Sequence, residues 1–71
     1  MDLQTAITLF KKEKPKYHVQ AYARCSDGII LVAESMPGVI ECNYYKVKAD
    51  GTITPVHPML MGVSMSKFKS I

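Results

Sequence analysis

The sequence predicts an α+β fold: an N-terminal helix packed on a four-stranded antiparallel sheet made of two hairpins, then a C-terminal tail or short helix. Three observations carry this. Apolar residues near the start recur at helical spacing, two later stretches alternate with period two, and each of those ends in an x-Asp-Gly turn. With 71 residues, 48% hydrophobic and 21% charged, the composition is globular and one small domain, residues 1–71, accounts for it. A folded surface of roughly 4,400 Å², against about 11,500 Å² for the extended chain, buries only about 60% of the total. A large enzyme with a deep, layered active site does not fit that size.

The helix is read over residues 2–14. Leu3, Ala6, Ile7 and Phe10 follow i, i+3, i+4, i+7 and so share one face. Asp2 suits the N-cap, where its carboxylate accepts from free first-turn amides. Lys11, Lys12 and Lys14 oppose the negative end of the dipole, and Pro15 disfavours helical geometry at Lys14.

Residues 17–25 alternate. Tyr17, Val19, Ala21, Ala23 and Cys25 form one set, and His18, Gln20, Tyr22 and Arg24 the other. Ser26-Asp27-Gly28 reads as a three-residue turn with a left-handed glycine. That register sets Cys25 opposite Ile29, Ala23 opposite Leu31 and Ala21 opposite Ala33. A two-residue Asp27-Gly28 loop, with Cys25 opposite Ile30, matches the apolar pattern less well. Met36-Pro37-Gly38 signals the loop between hairpins. The second hairpin runs from Asn43–Lys48 through Ala49-Asp50-Gly51 to Thr52–Val56, with Val47 opposite Ile53 and Lys48 opposite Thr52. Pro55 and Pro58 end its last strand. Met61, Met65 and Phe68 have helical spacing, but Gly62 and the nearby serines interrupt it, so the tail is read as a short helix or as irregular.

In this register the helix covers Val19, Ala21, Ala23, Leu31, Val47 and Ile53. The opposite face carries Tyr22, Arg24, Ile30, Val32, Tyr44, Lys46 and Lys48. Ile30 and Val32 on that face need covering, either by the tail methionines or by a second subunit. Ile30, Val32, Met59, Leu60, Met61, Met65 and Phe68 are therefore the candidate protein interface, with residues 59–71 as a docking tail and a dimer as one outcome. The alternative is a single-stranded nucleic-acid face of Tyr22, Arg24, Tyr44, Lys46 and Lys48, which mixes stacking platforms with cations. No RNA-recognition motif accompanies it. The net charge is +3 and the pI about 9.0. Lys11, Lys12, Lys14, Lys16 and Arg24 against Glu13 give residues 11–24 a net +4 and leave the rest of the chain at −1, a field that attracts acidic partners.

Catalytic chemistry has no support. His18 and His57 lie in no motif, and Asp27 and Asp50 are used by the turns. Cys25, Cys42, His18 and His57 lack the short spacings of a zinc site. No metal or cofactor is expected. Two cysteines are too few for a disulfide-stapled scaffold and read as reduced thiols in the cytoplasm, with a Cys25–Cys42 bridge unneeded. No apolar run approaches 18 residues and no secretory signal is evident, so neither a membrane partner nor export is expected.

The stretch from Tyr44 to Pro58, Tyr-Tyr-Lys-Val-Lys-Ala-Asp-Gly-Thr-Ile-Thr-Pro-Val-His-Pro, resembles the terminal hairpin of many small bacterial and phage-encoded α+β proteins. Those proteins also begin with an amphipathic helix that ends in a Lys-Pro or Tyr-Pro stretch, here Lys14-Pro15-Lys16-Tyr17. The resemblance spans residues 3–58, and the Met-rich tail departs from it. It implies a non-enzymatic accessory protein of phage or prophage origin, which adds the virion to the cytoplasm as a location. It carries over no catalytic residue. The sequence thus points first to a protein-interaction module and second to a nucleic-acid binder.

Overall fold

A computed structural model describes residues 1–35, 43–60 and 62–71. Helix α1 (Leu3–Glu13) opens the chain. Asp2 caps it, its Oδ1 accepting from the Thr5 amide at 2.8 Å, and Lys14 closes it by donating its amide to the Phe10 carbonyl at 2.8 Å. Four strands follow: β1 (His18–Cys25), β2 (Gly28–Glu34), β3 (Asn43–Lys48) and β4 (Ile53–Val56). The tail makes a 3-10 turn at Pro58–Leu60, a second at Met65–Lys67, and a short strand β5 (Lys69–Ser70). The sheet is antiparallel, in the order β4-β3-β2-β1-β5. It therefore has five strands where four were expected, because the end of the tail pairs with Ala21 and Tyr22 of β1. The Met36-Pro37-Gly38 loop, Cys42 and Met61 lie outside the described residues.

The second hairpin has the expected register. Val47 faces Ile53, the Lys48 amide donates to the Thr52 carbonyl at 2.8 Å, and Gly51 takes φ +90°. Asp50 Oδ1 accepts from the Thr52 amide at 2.9 Å, which fixes the turn. Pro55 lies within β4 instead of ending it. β4 is an edge strand, where a missing amide donor is tolerated.

The first hairpin departs from expectation in two linked ways. Its loop is the two residues Ser26-Asp27, so Cys25 pairs with Gly28, Arg24 with Ile29, Ala23 with Ile30 and Tyr22 with Leu31. Further along, a β-bulge inserts Gln20 between Val19, which faces Ala33, and Ala21, which faces Val32. A bulge reverses the in-out alternation beyond it. Val19 therefore stays on the helix side, but Tyr22 and Arg24 join it there. Ala21 and Ala23 move to the opposite side with Ile30 and Val32. The expectation that these two alanines lie under the helix is corrected on this ground.

Gly28 is a strand residue whose φ is not positive. A Cβ there would overlap the Val47 carbonyl oxygen and come within 3.0 Å of the Lys48 Cα. Close approach of β3, and not a left-handed turn, requires glycine at this position.

The core lies between α1 and the sheet. Ala6, Phe10, Ile29, Leu31, Ala33, Tyr45 and Val47 are buried, with Leu3, Ile7, Val19, Tyr22 and Ile53 packed around them. Phe10, Tyr17 and Tyr45 form an aromatic trio with centroids 5.2–6.0 Å apart. Lys14 Nζ sits 5.2 Å from the Tyr45 centroid and 5.4 Å from that of Tyr17, a cation–π contact that caps the trio. Burial, then the neighbouring Tyr17 side chain, push the Tyr45 phenol up to about 12.

β2 is buried on both faces, from Ile29 through Ala33. On the face away from α1, Ile30 is fully buried and Val32 is 8% exposed. Phe68 stacks edge-on against Tyr44 of that face at 5.8 Å, and Val63 is also partly buried. Phe68 thus packs on the face where the methionines were expected, and Met59 and Met65 are exposed.

Candidate functional site

Two surface features stand out. The first is a cleft of about 430 Å³ between the turn of the first hairpin and the tail, lined among others by Arg24, Asp27, Lys46, Ser64 and Lys67. It exists because β5 pairs only with Ala21 and Tyr22. Beyond that point β1 becomes a free edge, and Arg24 projects from it. Lys46 comes from β3, and Lys67 ends the second 3-10 turn, which Ser64 caps by accepting from the Ser66 amide at 3.3 Å. A hollow of about 200 Å³ adjoins the cleft, sharing Arg24 and Lys67 and adding Tyr22 and Lys69.

The electrostatics of the cleft are one-sided. Asp27 is its one carboxylate. Lys46 Nζ lies 3.3 Å from Asp27 Oδ1, and the Cys25 thiol donates to the same oxygen at 3.4 Å. The Cys25 hydrogen bond, then Lys46, hold the Asp27 carboxyl below its ordinary value. Arg24 and Lys67 have no ion pair among the described residues. The cleft lining thus carries Arg24, Lys46 and Lys67 against Asp27, a formal +2.

The second feature is an apolar prominence just past the edge strand. Met59 and Leu60 are 84% and 85% exposed on the turn that follows β4. His57 holds that turn twice. Its carbonyl accepts from the Leu60 amide at 2.9 Å, and its Nδ1 accepts from the Met59 amide at 3.1 Å.

The predicted site residues are redistributed. Of the candidate protein interface, Ile30 and Val32 are inside the chain, Phe68 is half-buried on Tyr44, and Met59, Leu60 and Met65 are exposed. Met61 lies outside the described residues. The candidate nucleic-acid face is divided. Tyr44 and Lys46 lie opposite Val32 and Ile30, and Lys48 opposite Gly28, on the tail side. Tyr22 and Arg24 lie opposite Leu31 and Ile29 on the helix side. Lys67, Lys69 and Ser64 have no place among the sequence candidates. For the two lysines the signal is Lys67-Phe68-Lys69, whose alternation sets both apart from the half-buried phenylalanine; Ser64 has no such signal.

Among the described residues no group of His, Cys, Asp and Glu is placed to hold a metal ion, and no helix is long and apolar enough to cross a membrane. Cys25 is a free thiol. No protein-family model, curated protein or solved structure matches this chain.

Proposed function

We propose that this chain is a small, non-enzymatic protein-interaction module that docks the Met59–Leu60 prominence into an apolar pocket of another protein. The observation that carries the reading is the adjacency of two large apolar side chains, each more than four-fifths exposed, on a turn fixed by His57. Full burial of such a side chain is worth about 1.5–3 kcal/mol, and the fold itself uses neither. Two side chains on a convex turn offer far less than the ~800 Å² per partner of a stable flat interface. A concave pocket on a partner therefore suits them better than a second copy meeting knob to knob. The other route to association, strand addition, is poorly served: β4 carries Pro55, β5 has two residues, and the free edge of β1 beyond β5 is only Ala23–Cys25. An accessory role of this kind suits the phage- and prophage-encoded proteins that the second hairpin resembles.

The test replaces Leu60 with a photoreactive amino acid in cells that produce the protein, with the same substitution at exposed Thr52 as control. The expected result is a discrete protein adduct from position 60 alone. With the purified partner, the Met59→Ser/Leu60→Ser double variant should bind about 100-fold more weakly while melting at the wild-type temperature. Equal cross-linking at both positions, or unchanged affinity of the double variant, overturns the reading.

A further inference from the structure

We infer that the cleft between Arg24 and Lys67 binds the phosphate group of a small phosphorylated ligand. Three cationic residues line it from places distant in sequence: Arg24 at the free edge of β1 on the helix side, Lys46 from the tail side of β3, and Lys67 from the tail. Such convergence costs the folded state repulsion unless an anion offsets it. The internal anion, Asp27, is already occupied by Lys46 and the Cys25 thiol; Asp2, outside the cleft, feels the Arg24 charge only weakly, and among the described residues no carboxylate makes an ion pair with Arg24 or Lys67.

The chemistry of the lining favours phosphate over a simple counter-ion. Arginine presents a planar fork of donors that engages phosphate oxygens in pairs. Lys67 adds a point charge, and Ser26 and Ser64 line the same cleft, the Ser64 hydroxyl already engaged with Ser66. The volume of about 430 Å³ lies in the range of small-molecule sites. The adjoining hollow adds Lys69 and the Tyr22 ring, so a second phosphate or a planar ring attached to the first has a place to lie. The same chemistry would hold a phosphate of a free mononucleotide or one in a single-stranded oligonucleotide.

The full chain is titrated with inorganic pyrophosphate, adenosine monophosphate and a short single-stranded DNA at about 10 mM ionic strength, where screening is weak. Binding is followed by calorimetry and by backbone amide NMR shifts. An Arg24→Gln/Lys67→Gln variant is compared with Lys11→Gln/Lys12→Gln, which removes the same charge from the helix end. The expected result is saturable binding that shifts the amides of Ser26, Ser64 and Lys67. It weakens about tenfold or more in the cleft variant and less than about twofold in the helix variant. Saturation by the small ligands assigns the site to them, and cleft-dependent binding of the oligonucleotide alone assigns the phosphate to a polymer and overturns the small-ligand form. Equal losses in both variants, or no saturable binding of any probe, overturn the phosphate site altogether.

Discussion

Gly28→Ala separates two reasons for the same glycine. A left-handed residue closing a three-residue turn would lose about 1–2 kcal/mol on gaining a Cβ, and asparagine would restore much of that because it tolerates the left-handed region. In the structure Gly28 is a strand residue pressed against the backbone of β3, with the Val47 carbonyl oxygen inside contact distance of the added carbon. A backbone atom cannot swing aside like a side-chain tip, so the cost belongs at the upper end of the overpacking range, about 3 kcal/mol. Alanine also narrows the unfolded ensemble, which returns about 0.4–1 kcal/mol. The net loss is about 2 kcal/mol, out of roughly 4–11 kcal/mol for a chain of this length. With a urea slope near 1 kcal/mol/M, the midpoint should fall by about 2 M, followed by circular dichroism. Gly28→Asn should be no better than Gly28→Ala. Gly51 supplies the contrast: it has φ +90° and nothing within 4 Å of a built Cβ, so Gly51→Asn should be milder than Gly51→Ala. A Gly28→Ala variant within about 0.5 kcal/mol of wild type, or rescue of position 28 by asparagine, would refute the close-approach account.

Three further outcomes follow from the same structure. Phe10→Ala empties the centre of the aromatic trio and should cost about 3–5 kcal/mol, leaving the chain largely unfolded on warming; a melting temperature close to wild type would count against that packing. Tyr45 is held protonated up to about 12 against an ordinary value of 10.0, so its contribution is complete below 10 and is lost as pH rises toward 12. Thermal melts across that range should show the decline in wild type and less of it in Tyr45→Phe, and absorbance titration should find one of the four tyrosines ionising late. Hydrogen bonds from Thr5 and Thr52 hold the carboxyls of Asp2 and Asp50 below 3.8, as the Cys25 thiol and Lys46 do for Asp27. Their stabilisation is complete above 3.8 and is lost as pH falls through the lowered values. Urea midpoints should therefore drop below that pH, and less so in an Asp2→Asn/Asp27→Asn/Asp50→Asn variant; identical acid sensitivity would rule the three carboxylates out as its source.

Much of this architecture was legible because its signals are local. The cap at Asp2, the stop before Pro15 and the left-handed Gly51 each depend on a few neighbouring residues and the dihedral angles they allow. The second hairpin kept its register because its turn and its apolar pattern demand the same pairing. In the first hairpin a period-two reading carried through Gln20 misassigned everything between there and the turn. The bulge leaves no mark in composition, since Ala21, Ala23 and Tyr22 suit either face. The cleft was illegible for a related reason. Its cations lie at positions 24, 46 and 67, and only the pairing of β5 with β1 brings the last beside the first.

By itself the sequence determined the helix, the two hairpins, the basic character and the surplus of apolar residues on β2, because these depend on propensity, periodicity and charge counted along the chain. The tertiary structure decided which face each residue of β1 takes and what covers Ile30. It also decided which apolar and cationic side chains are left exposed. The physical reason is that a bulge, a fifth strand and a converging set of charges depend on distances between segments remote in sequence. Ile30 and Val32 on the second sheet face are buried within the chain, Phe68 packs edge-on against Tyr44 of that face, and Met59 and Leu60 are the most exposed large apolar side chains among the described residues.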